Sequence, residues 1–179
     1  MKYISLLRGI NVGGQNTILM KDLKELYESL GFENVATFIQ SGNVIFRVED
    51  NAQTVIEKIE KAISKAYGFE VLVQLREVSE FEGIIKTCPF TKLDLEDGTK
   101  VYITFLDELA KQEAIEKLMI YVNAPEKLEV MGREVYVYCP DGYAKTKLNN
   151  NFLENMLKVR ATTRAWKSVM RITILAKMP

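Results

Sequence analysis

A chain of 179 residues, 47% of them hydrophobic, is long enough to bury one large core or two small ones. Its formal charge is zero, no apolar run approaches the roughly 20 residues of a membrane helix, and no charged-then-apolar leader is read; a cytoplasmic protein with no membrane partner is expected. Histidine is absent, which excludes Ser-His and Cys-His nucleophile pairs and imidazole metal sites, and Cys88 and Cys139 make neither a disulfide framework nor a metal spacing.

Lys2–Arg8 reads as a short apolar strand that runs into Gly9-Ile10-Asn11-Val12-Gly13-Gly14, three glycines in six residues. Lys21–Leu30 follows as a helix, with Leu23, Leu26, Tyr27 and Leu30 on one face and Gly31 as its stop. Val35–Gln40 and Val44–Glu49 are strands joined by the turn Ser41-Gly42-Asn43. Asp50 and Gln53 form a capping-box pattern for a helix whose Val55, Ile56, Ile59 and Ile63 share a face until Gly68. Val71–Arg76 closes the unit as a strand, which makes the order βαββαβ, the ferredoxin-like plan.

A short helix capped by Ser79 and Glu82 and the turn-rich stretch Cys88–Gly98 come next, and then the plan repeats. Lys100–Leu106 is a strand and Leu109–Ile120 a helix. Lys127–Met131 and Glu134–Tyr138 make a hairpin around Gly132-Arg133. A helix carries Leu148, Phe152, Leu153 and Leu157, Arg160–Thr162 is a brief closing strand, and a last helix starts near Thr163 with Trp166, Val169, Met170 and Ile174 on one face. The fold class is therefore α+β, two ferredoxin-like units plus a C-terminal helix. The divisions are 1–78 and 100–179, with 79–99 connecting them.

In this topology the loop after the first strand and the turn between the second and third emerge at one edge. Arg8, Asn11, Gly13 and Gly14 are expected to face Gln40, Ser41 and Asn43 across a small gap, as binding groups do. The same residues also suit a self-satisfied loop, with Asn11 and Asn43 bonded to local backbone. Residues 140–179 sum to +6 and the rest to −6, which attracts phosphate-bearing ligands or complements the protein's own acidic surface. Lys145, Lys147 and Arg164 flank expected helix starts, where exposed N–H groups favour an anion.

The segments Leu6-Leu7-Arg8-Gly9-Ile10-Asn11-Val12-Gly13-Gly14 and Gln40-Ser41-Gly42-Asn43-Val44-Ile45-Phe46 resemble the signature of the bacterial family called domain of unknown function 1697. Lys145-Thr146-Lys147-Leu148 and Ala161-Thr162-Thr163-Arg164-Ala165-Trp166 are similar to it as well, so the resemblance spans nearly the whole chain. It implies small cytoplasmic proteins with ferredoxin-like halves and no assigned activity. One departure is Ala165, where the family pattern places Asn between Arg and Trp.

Known phosphate motifs are absent. Gly14 stands where a P-loop needs its second glycine, but Gln15 replaces the lysine, and the glycine spacing is wrong for a dinucleotide fingerprint. The RNA-platform motif of ferredoxin-like sheets does not fit Val44-Ile45-Phe46-Arg47-Val48, although Tyr102, Tyr136 and Tyr138 are placed as an aromatic stripe on one sheet face. Asp94, Glu96 and Asp97 read as a solvated acidic turn, so no metal is expected. The leading expectation is a small anionic ligand at Arg8, Asn11, Gly13, Gly14, Gln40, Ser41 and Asn43, with Lys147 and Arg164 contributing. Single-stranded nucleic acid, and a protein partner or second copy of the chain, are the alternatives. Cofactors and any enzyme reaction stay open.

Overall fold

A computed structural model describes residues 1–93 and 98–178. The acidic turn Asp94, Glu96 and Asp97 lies outside the described residues. The chain divides into two compact units, Met1–Phe81 with Ile172–Pro179, and Glu82–Arg171.

The first unit runs β1 (Lys2–Leu7), α1 (Met20–Ser29), β2 (Glu33–Phe38), β3 (Asn43–Arg47), α2 (Ala52–Tyr67) and β4 (Val73–Glu77). Its antiparallel sheet has the order β2-β3-β1-β4, as the βαββαβ reading requires. One face holds Tyr3, Leu7, Val44, Phe46, Val73 and Leu75 against Leu23 and Tyr27 of α1 and Val55, Ile59 and Ile63 of α2. Each of those three α2 side chains is fully buried, which stabilises by about 1.5–3 kcal/mol apiece. The start of α2 differs from the expected capping box. Asn51, not Asp50, is the cap, accepting from the Thr54 N–H at 3.0 Å, while Gln53 donates to Glu57. Gly68 ends the helix in the left-handed region, φ 75°.

α3 (Val78–Thr87) follows, with Glu80 rather than Glu82 reaching back to accept from the Glu77 N–H at 2.7 Å. The second unit then runs β5 (Val101–Leu106), α4 (Gln112–Met119), β6 (Lys127–Met131), β7 (Glu134–Tyr138), α5 (Asn150–Leu157) and β8 (Ala161–Ala165). Its sheet order, β6-β7-β5-β8, is the same plan again. Leu106, Leu118, Val135, Val137, Leu148, Leu153, Leu157 and Ala161 form its core. The closing strand is longer than expected, so α6 (Trp166–Lys177) begins at Trp166. The later start turns Ile174 to solvent and buries Ile172 and Ala176 beside Val169.

The repeat extends below element order. Ile4 lies opposite Arg76 in the β1–β4 ladder, and Ile103 lies opposite Arg164 in the β5–β8 ladder. Both arginines are buried, 1% and 7% exposed.

Register also breaks up the expected tyrosine stripe. Tyr102 pairs with Val137 and stacks on Tyr143 at 4.4 Å between ring centroids, whereas Tyr136 pairs with Ile103 on the opposite face and is buried. The three rings do not share a face, so no stacking platform for bases exists there.

Candidate functional site

The glycine segment is a small hairpin held by its own side chains. β1 is tied off by Leu7 N–H donating to Gly42 O at 2.8 Å and Arg8 N–H donating to Leu72 O at 3.0 Å. Ile10 and Ile18 then sink into the first unit's core and anchor the two stems. Between them Asn11 N–H donates to Asn16 O (3.2 Å) and Gln15 N–H to Val12 O (3.0 Å). Gly13 and Gly14, φ 58° and 74°, supply the two left-handed centres that a type I′ turn demands. Gly9, Asn11 and Asn16 are left-handed too, at φ 70°, 55° and 49°. A side chain branching at Cβ would cost about 1–2 kcal/mol at each of these positions, and Asn is the residue after Gly that tolerates them best. The motif is thus first of all a backbone prescription.

Asn11 is the clamp. Its Nδ2 donates to Ile18 O (2.9 Å) and Gln40 O (2.8 Å), and its Oδ1 accepts from Ile18 N–H (2.9 Å). Three such bonds contribute about 1 kcal/mol each. At this point the loop and the β2–β3 turn are joined directly instead of facing across a gap.

The turn presses on the loop from the other side. Gly42, φ 76°, has no room for a side chain: a Cβ there would stand 2.5 Å from Ile10 Cδ1 and 3.0 Å from Leu7 Cβ. Asn43 is fully buried and its Nδ2 donates to Phe38 O (2.8 Å) and Ser41 Oγ (3.0 Å). Ile39 is the strained member. A β-branched residue at φ 50° is an outlier, and this one is also 45% exposed. Strain kept at an exposed position points to a use other than packing.

Of the expected site residues, the first unit therefore gathers Arg8, Asn11, Gly13, Gly14, Gln40, Ser41 and Asn43. Arg8 is half-buried at the end of β1, and Gln40, Gly13 and Gly14 are exposed. The Gly13 and Gly14 N–H groups bond to nothing among the described residues and stand in solvent. Asn11 and Asn43 spend their amide hydrogens on the frame.

Lys147 and Arg164 belong to the second unit, and neither sits in a helix's first turn. Lys147 is exposed in the loop before Asn149, the cap of α5. Arg164 lies in β8, where its Nη1 donates to Thr162 Oγ1 (2.9 Å) and Thr163 O (3.0 Å), and burial lowers its pKa to about 10. The longer strand accounts for its place. A hydroxyl network that the sequence reading missed joins the two late segments. Thr163 Oγ1 donates to Asn150 Oδ1 (2.9 Å), which leaves Thr104 as donor to Thr163 at 2.7 Å. Asn150 N–H donates to the Tyr143 hydroxyl at 2.7 Å, and burial raises that phenol's pKa. The pair Thr162-Thr163 in a strand otherwise closed by apolar residues was the available signal.

The segments at the loop and turn bear on descent. A model for a family described as a protein of unknown function, DUF1697, matches residues 1–136. The chain belongs to this family. Both clamped segments of the DUF1697 chain, Arg8–Asn16 and Ile39–Asn43, fall inside the matched residues, while Tyr143, Asn150 and Thr163 of the hydroxyl network lie beyond them and its Thr104 lies inside. A solved structure similar to this DUF1697 protein is that of the conserved bacterial protein SP0830 from Streptococcus pneumoniae. The two are 25% identical, superpose with a TM-score of 0.79, and the match covers 98% of each chain. No curated protein sequence matches it. Among the described residues no group of three or more His, Cys, Asp or Glu is placed to hold a metal, and no helix is long and apolar enough to cross a membrane.

Proposed function

We propose that the β1–α1 loop and the Ile39–Asn43 turn bind a small anion bearing a phosphate or carboxylate group. The observation that supports this most is a difference in length. The β1–α1 connection, Arg8–Leu19, takes twelve residues, whereas the second unit closes the same step with the five residues Asp107–Lys111. A ferredoxin-like unit does not need the longer form, and long clamped loops on a rigid scaffold are where binding groups sit. In this reading the Gly13 and Gly14 N–H groups and the Arg8 guanidinium meet the anion, since a planar fork and paired backbone donors suit an oxyanion. Gln40 and Ser41 form the rim, and Asn11 and Asn43 hold the frame. Two buried, unbridged thiols, Cys88 and Cys139, suit a reducing compartment, which supports a cytoplasmic location.

A thermal-shift screen against phosphorylated and carboxylated metabolites tests the reading. A ligand at about 100 times its Kd adds roughly 2.7 kcal/mol. The expected result is a raised midpoint with one class of anion, lost in Arg8→Ala, whose unliganded midpoint moves little. A shift that survives Arg8→Ala, or silence across the panel, overturns it.

A second reading, docking of a protein partner, is favoured by Val12, Leu19 and Ile39. They are 66%, 61% and 45% exposed, and each adjoins a residue of the Asn11 clamp. Sedimentation that shows mass rising with concentration in the native chain but not in Val12→Ser would support a self-association of that kind.

A further inference from the structure

The second unit carries a cleft lined by three lysines. It lies between α4 and α5, encloses about 320 Å³, and is lined by Lys111, Lys117 and Lys158 with Glu113, Ala114, Asn155 and Met156. None of the three lysines makes an ion pair among the described residues, although Glu113 stands four residues before Lys117, the spacing that favours one. The corresponding helices of the first unit behave otherwise. Lys21 and Lys24 on α1 pair with Glu25 and Glu28, and Lys58 on α2 pairs with Asp50.

Lys158 adds an independent argument. α2 and α5 are topological counterparts, and both end on a left-handed residue whose N–H closes the last turn: Gly68 to Ser64 O at 2.9 Å, Lys158 to Glu154 O at 2.8 Å. The backbone at this position calls for glycine, and the first unit has it. The second unit holds a lysine there at φ 57°, with its β-carbon in a disfavoured region. The negative end of α5 offsets part of that cost, but it would do so equally for a lysine in the preceding turn, where no strain arises. What this position provides is a lysine that lines the cleft together with Lys111 and Lys117.

Three lysines and one glutamate line a concave surface with the half-buried Ala114 and Met156, and one carboxylate falls short of balancing three cations. Such a site lowers its own repulsion by taking up a spread negative charge. Ammonium groups act as point charges and match separate phosphate groups better than one planar carboxylate. We propose that the α4–α5 cleft is a binding site for a small polyanion, a molecule with two or three phosphate groups. It is distinct in residues and unit from the loop assigned above and does not rest on that reading.

Isothermal titration of the full chain with sodium tripolyphosphate is the test, with inorganic phosphate as the single-charge control. Binding is expected to be about tenfold tighter for tripolyphosphate and to weaken markedly as salt is raised. Lys117→Ala and Lys158→Gly are each expected to weaken it about threefold. Lys158→Gly carries a second readout: its thermal midpoint stays level or rises by about 2 °C as the strain is released, so lost affinity does not reflect lost fold. Affinity unchanged in both variants overturns the assignment, as does failure of tripolyphosphate to bind at low salt. Binding of a single-stranded oligonucleotide without binding of tripolyphosphate also overturns it, in favour of a nucleic-acid surface.

Discussion

β1 and β5 end under the same two constraints. Leu7 N–H and Leu106 N–H each donate at 2.8 Å across to the hairpin turn, at Gly42 O and Arg133 O. Arg8 N–H and Asp107 N–H each donate at 3.0 Å to the residue that precedes the fourth strand's ladder, at Leu72 O and Arg160 O. One residue later the two units part. The second crosses to its helix beside the ion pair of Arg160 Nε with Asp107 Oδ2 at 2.8 Å, on an arginine side chain 68% exposed. The first builds a clamped hairpin with five left-handed residues, a buried stem on each side and no tolerance for a side chain at Gly42. Since the shared bonds already complete the strand ends, the difference measures what the first unit carries beyond its fold. That excess is concentrated in backbone conformation, not in charge.

The comparison breaks first at Gly42. Gly42→Ala adds a left-handed penalty to a 2.5 Å overlap and is expected to cost about 3 kcal/mol in urea unfolding. A cost under about 1 kcal/mol would mean that turn and loop are not pressed together. Next comes Asn11→Ala, which removes three bonds and leaves Ala in the left-handed region, for an expected loss of about 2–3 kcal/mol. Its counterpart Arg160→Ala should cost about 1 kcal/mol or less, because the guanidinium is mostly exposed although Asp107 is half-buried. Equal losses at the two would erase the contrast between the connections. The smallest effect is a gain. Ile39→Asn relieves a β-branched residue at φ 50° and should raise stability by about 0.5 kcal/mol in urea unfolding. A loss there would make Ile39 a packing residue.

How far the sequence could be read follows the same physics. α2 was plain because its apolar positions recur at helical spacing and Gly68 stops them, and the doubled βαββαβ order followed from such elements. The tyrosine stripe failed because faces across a ladder depend on register. Tyr102, Tyr136 and Tyr138 share parity along the chain, yet Tyr102 falls opposite Val137, and a one-residue offset exchanges the faces. Arg164 reads as a helix-start cation only if the closing strand stops at Thr162, and β8 runs three residues further, to Ala165. At the loop the residues were legible but not their division of labour. That Asn11 clamps two segments depends on Ile18 and Gln40 arriving within 3 Å, a consequence of how β1, β2 and α1 close together.

The first unit is interrupted: Met1–Phe81 is completed only by Ile172–Pro179, and Lys2 Nζ donates to Met178 O at 2.8 Å. The order of synthesis therefore differs from the order of completion. The clamped loop leaves the ribosome early, but the unit that bears it stays unfinished until the whole of the other has been made. A nascent chain halted at Phe81 holds every residue of the loop and still lacks part of its own unit, so the loop is made before the scaffold that carries it is whole.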